Sequence, residues 1–200
     1  MKVKSMNSIS KKRIFDAGLF LALVVLGISS RIWLVEFPNI KPVAALCLFA
    51  GFYFQSYVRA FAAAFMVLLI SDWFLGGYEL AVALSVYLSM GVACGLGYLV
   101  QRWIRSEAGQ VGLSLNQCGG MVAASLVMST MFFLLTNLAV WMFLPWYETT
   151  LSGLIHCFTA AVPFYRYTLI GDLTFTLAVF SAYQLVSVFV ASKRSARVLA

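Results

Sequence analysis

The sequence predicts an all-α membrane protein of six transmembrane helices, with both termini cytoplasmic and a short amphipathic helix on the outer face between helices five and six. Three observations predict it. Hydrophobic residues fill 62% of the 200 positions and charged residues only 10%, where about a quarter are charged in ordinary soluble domains. Apolar runs near the roughly 20 residues needed to cross a bilayer recur along the chain. Lysine and arginine gather in alternate loops, as expected of a multi-pass chain.

The six runs are Ile14–Trp33, Pro42–Val58, Ala60–Phe74, Leu80–Gln101, Gly119–Met142 and Tyr167–Ala191, forming one integral membrane domain over residues 1–200. Each is expected to be helical, because in lipid the backbone must satisfy its own hydrogen bonds. The second and third are short and separated only by Arg59. The first has a basic leader and a "GIS" that resembles a signal-peptidase site, but its apolar stretch continues through "RIWLVEF", so a retained helix is expected. The connector "RSEAGQVGLSLNQCGG" reads as a flexible Gly-rich loop.

Between the last two runs lies "PWYETTLSGLIHCFTAAVPFYR". Leu151, Leu154, Ile155, Phe158 and Val162 recur there at helical spacing, Pro163 stands at the end, and Thr149 or Thr150 is placed to cap the start. This predicts an interfacial helix over about 150–162, lying across the outer mouth and carrying His156, the only histidine.

With the N-terminus inside, eleven of the 14 basic residues fall on the cytoplasmic side and only Arg31, Lys41 and Arg166 outside. Topology and anionic inner-leaflet lipid account for the net charge of +7, and no nucleic-acid partner is needed. The four cysteines form no CxxC pair and read as small buried hydrophobes. Phosphate-binding, zincin, nucleophile-elbow and heme-attachment motifs are absent from the sequence. The expectation is therefore a protein that is not an enzyme and that uses no cofactor and no bound metal.

Ionisable groups at membrane depth are costly and usually functional. Glu36, Asp72, Glu79, Glu148 and Asp172 all fall toward the outside, with Asn39, Asn137, His156 and many of the rings. Asp72, Asn137, Arg166 and Asp172 are the candidate ligand contacts, and Asn39, Trp73, Tyr147 and His156 the candidate lid contacts. The competing reading pairs the acids with Arg31, Lys41 or Arg166 and leaves no void, as in an accessory subunit of a larger membrane complex. Gly18 and Ala22 form a small-xxx-small step on the first helix, a candidate interface for a partner helix.

The segments "FPNIKPVAALCLFAGFYF", "LLISDWFLGG", "FFLLTNLAVWM" and "WYETTLSGLIHCFTAAVPFYRYTLIGDLTFT" together resemble an uncharacterised group of bacterial six-helix transport proteins over about residues 31–185. That group is similar to the substrate-binding S-components of energy-coupling-factor vitamin transporters, including a solitary cobalamin-uptake type. The resemblance implies a bacterial inner-membrane protein that binds a vitamin or related micronutrient, cobalamin foremost, near the outer face. It further implies docking, through small residues of the first helix, onto a coupling subunit driven by ATPases. Gly18 and Ala22 stand where that family has an AxxxA surface, without reproducing its alanine pair.

Overall fold

The computed structural model describes residues 2–37, 39–106 and 115–199, all helix and short connections. The described residues form six helices: α1 (Lys2–Trp33), α2 (Val43–Phe54), α3 (Tyr57–Leu75), α4 (Leu80–Ser106), α5 (Leu115–Phe143) and α6 (Leu151–Leu199). Five contain stretches long and apolar enough to cross a membrane: Ser10–Trp33, Tyr57–Leu75, Leu80–Ile104, Gln117–Phe143 and Leu151–Lys193. The α1–α2, α3–α4 and α5–α6 connections share one end of the bundle, termed here the mouth end, and the α2–α3 connection lies at the far end. The middle of the Gly-rich connector, residues 107–114, lies outside the described residues.

The expected second span contains a helix shorter than a full crossing. α2 has 12 residues, about 18 Å of helix against a hydrocarbon core of about 30 Å. The break lies at Gln55–Ser56 instead of Arg59. Gln55 is left-handed (φ 50°), which ends α2, and the Ser56 hydroxyl accepts from the Arg59 amide, which starts α3. Eleven of the twelve α2 residues are buried, and α2 touches every other helix. An all-round apolar surface belongs at the centre of a bundle, and that is where it sits. Close packing there depends on glycine: a Cβ on Gly51 would overlap the Cys94 carbonyl of α4, and one on Gly97 the Leu48 carbonyl of α2.

The expected interfacial helix is also corrected. Residues 151–162 open α6, a single helix of 49 residues with Pro163 inside it, and pack along α5 instead of crossing the mouth. Proline removes one helical hydrogen bond, but a membrane helix tolerates that loss where neighbours support it. Here the Cys157 thiol reaches the Asn137 carbonyl at 3.5 Å and Phe158 meets Phe133 edge-on. The stripe expected to seal the mouth faces outward, with Leu151, Ile155 and Val162 exposed, while Gly153 and Cys157 are buried. In lipid the large apolar residues can face the solvent and the small ones the protein. Thr150 caps the start as expected, accepting from the Gly153 amide at 3.1 Å. Cys47, Cys94 and Cys157 are free and buried, and Cys118 is free and exposed.

A candidate solute chamber at the start of α2

Because α2 is short and ends at the far end, its first turn starts inside the bundle, and residues 39–42 must descend to meet it. Irregular backbone at that depth is tolerated where protein buries it or where it lines a cavity, and both occur. Asn39 adopts a left-handed conformation (φ 61°), and Gly171 of α6 lets the loop close in, since an added Cβ would lie 3.3 Å from the Ile40 Cα.

Below this loop lies a cavity of about 90 Å³ bounded by Arg31, Asn39, Lys41, Val43, Ala44, Tyr78, Met128, Thr168 and Asp172, among others. A second chamber of about 220 Å³ adjoins it, lined by Phe132, Phe133, Thr136, Asn137, Phe164 and Tyr165. Asn39, Tyr78, Val86, Phe132 and Thr168 line both. One chamber is charged and the other ring-walled.

Asp172 is the buried acid of the first chamber, at 5% exposure. Its Oδ2 accepts from the Ser129 hydroxyl at 2.7 Å, and among the described residues no lysine or arginine forms an ion pair with it. One turn further along the α5–α6 seam the Thr176 hydroxyl donates to Ser125 at 3.3 Å. Across the cavity stand Lys41 and the first turn of α2, whose N-cap, Pro42, supplies no side-chain cap. The amides of a helix N-terminus carry partial positive charge. The Lys41 amine titrates below its ordinary range, first because it is half-buried and then because Arg31 repels its charge.

Arg31 is 4% exposed and fixed from several sides. Its Nη1 donates to the Ser71 hydroxyl and, at 3.4 Å, to the Leu68 carbonyl, and lies 2.7 Å from Asp72 Oδ1. That carboxylate oxygen receives no aligned hydrogen bond, so charge attraction alone satisfies it. The Tyr87 hydroxyl donates to the other oxygen at 3.2 Å. Asp72 thus joins α1, α3 and α4 and does not line the cavity.

Of the residues singled out by sequence, Asp172, Asn39 and Asn137 come together around the two chambers. Five others do not line them. Asp72 is taken up by Arg31, and Arg166 is exposed and stacks on the Tyr167 ring at 5.2 Å. Trp73 is 87% exposed, and His156 is exposed on the outward face of α6. Tyr147 sits half-buried in the α5–α6 turn. For His156 and Arg166 the reason is helical phase: α6 does not bend over the mouth, so these two polar residues point outward. Ser129 escaped the sequence reading, and Lys41 entered it only as a possible ion-pair partner of the acids, not as a residue lining a chamber.

Among the described residues no three His, Cys, Asp or Glu side chains gather as a metal site. Gly18 and Ala22 are exposed on α1, and a Cβ on Gly18 would meet nothing within 4 Å.

The fold is an all-α bundle with five helices long and apolar enough to cross a membrane, as in a membrane protein, and with a polar chamber between its helices. The chain belongs to a family of unknown function, DUF6580, whose model matches residues 11–195. No curated protein and no solved structure matches it.

Proposed function

We propose that this protein is a solute-uptake protein of the bacterial cytoplasmic membrane, similar to the S-components of vitamin transporters, with its mouth end outside. The observation that carries the reading is Asp172, a carboxylate buried in the bundle without a cationic partner among the described residues, facing Lys41 and the start of α2 across a cavity. Burying such a group is costly unless something occupies the site. Interrupted helices whose N-termini face a central cavity are a recurring device for holding the anionic part of a transported solute.

The two chambers suit a compact ring-bearing micronutrient: the ring against Phe132, Phe133, Phe164 and Tyr165, an anionic group at Lys41, and a hydrogen-bond donor at Asp172. A corrinoid is far larger than both chambers, so cobalamin requires a wider conformation than this one. The orientation rests on the basic residues concentrated at the far end. The exposed Gly18 and Ala22 step supports a coupling helix docking on α1.

The accessory-subunit reading draws on one observation, the sequestration of Asp72 by Arg31. Thermal melting of the purified protein against a panel of vitamins and their ring precursors separates the two. A binder should raise the melting point in wild type and in His156→Ala and Arg166→Gln, and should lose at least tenfold in affinity in Asp172→Asn and Lys41→Gln. If no compound acts, or if a hit ignores both chamber substitutions, the chamber is not the binding site.

A further inference from the structure

A second polar cavity, of about 320 Å³, opens at the far end between α1, the α2–α3 hinge, α4 and α6, lined by Lys12, Asp16, Phe52, Tyr53, Phe54, Gln55, Arg59, Gln101 and Tyr183. It is separate from the chamber at Asp172: the rings of Phe49 and Phe52 on α2 close against Phe180 and Tyr183 on α6 at centroid distances of 5.1–5.6 Å.

The charges in this vestibule are organised. The Asp16 carboxylate accepts from the Tyr53 hydroxyl at 3.1 Å and lies 3.7 Å from Arg59 Nη1. Arg59 Nη2 donates to the Phe54 carbonyl at 2.8 Å, and the guanidinium lies over the Phe54 ring at 5.6 Å. One carboxylate therefore stands against two cations, Arg59 and Lys12, leaving a single positive charge in excess.

Gln101 gives the independent sign of a ligand. It is 8% exposed, lines the cavity, and has no hydrogen-bond partner among the described residues. Its amide is open to the cavity, so its donors and acceptor are available to a guest or to water. An amide, a tyrosine hydroxyl and two cations facing one space suit a monoanion rich in oxygen acceptors. A phosphate group meets that description.

We propose that this far-end vestibule binds a phosphate monoanion, presented either as the headgroup of an anionic phospholipid or as a soluble phosphate. The site lies at the end of the bundle that also carries Lys11, Arg13, Arg102 and Lys193, so anions concentrate around it. Arg59 and Lys12 supply the charge and Gln101 the hydrogen bonds that a diffuse basic surface lacks. Nothing in this assignment depends on the solute proposed for the mouth end.

The experiment uses the full chain, purified in detergent. Inorganic phosphate, phosphatidylglycerol and phosphatidylcholine are titrated separately against thermal melting, and retained lipid is counted by native mass spectrometry. Phosphatidylglycerol or phosphate should stabilise saturably and phosphatidylcholine should not. Arg59→Gln should abolish the effect, and Gln101→Leu should weaken it at least fivefold, whereas Lys11→Gln leaves it unchanged. Gln101→Leu replaces an unpaired polar group with an apolar one of similar size, so the unliganded protein stays folded; Tyr183→Phe provides a second, milder test. Stabilisation by phosphate assigns a soluble anion, and stabilisation by phosphatidylglycerol alone assigns the lipid. Equal responses to both lipids with none to phosphate, or undiminished binding in Gln101→Leu, overturn the proposal.

Discussion

Replacing Asp72 by leucine should expose how much the mouth end owes to one buried charge pair. Arg31 and Asp72 are 5% and 15% exposed at the side chain and approach to 2.7 Å. Without the carboxylate, Arg31 keeps only the Ser71 hydroxyl and the Leu68 carbonyl as acceptors, both neutral. Breaking a buried pair from one side typically costs about 3–5 kcal/mol, and the two remaining acceptors place this case near about 3 kcal/mol. For a chain of this size that is on the order of 10 °C in melting temperature. Removing both charges, as Arg31→Met with Asp72→Leu, leaves no uncompensated ion and should return the protein to within about 1 kcal/mol of wild type. Thermal unfolding of the two single variants and the double variant in one detergent measures the coupling. If Asp72→Leu melts with wild type, or if the double variant is as unstable as the two losses added, the pair is not the fastener described here.

Gly97→Val should prevent recovery of monodisperse protein, because its side chain would overlap the Leu48 carbonyl where α2 and α4 meet; size-exclusion chromatography reads this directly. Pro163→Ala should leave ligand response intact and stabilise by up to about 1 kcal/mol, since it restores a helical hydrogen bond inside a continuous α6; a separate lid hinged at Pro163 would instead alter binding. Lys41 has a lowered pKa when folded, so between that value and the ordinary 10.5 the unfolded chain holds more protons. Stability relative to Lys41→Gln should therefore rise as pH climbs through that window, and a flat difference in melting temperature across alkaline pH would contradict the burial of this amine.

Hydropathy alone made the membrane-protein class legible, because a charge at bilayer depth is costly wherever it falls in the sequence. It also brought Asp172, Asn137 and Asn39 to attention as polar residues of one end. It overestimated the length of the second helix, since α2 is as apolar as its neighbours and only its left-handed Gln55 shows how soon it stops. It misread residues 151–162 for a related reason. An apolar stripe at helical spacing has the same pattern whether it covers a mouth or faces lipid, and a proline inside it marks an end only when no neighbouring helix supports the turn.

Composition and the order of apolar runs determined on their own that this chain is a helical membrane protein with five of its seven acids gathered toward one end, because those properties follow from transfer free energies that each residue carries with it. Which acid is free and which is paired was decided by tertiary structure alone. Asp72 and Asp172 have similar local sequences, yet one finds Arg31 from 41 positions away and the other finds only Ser129 beside a cavity. That difference depends on helix rotation and on the depth at which α2 begins, and both are set by close packing at Gly51 and Gly97.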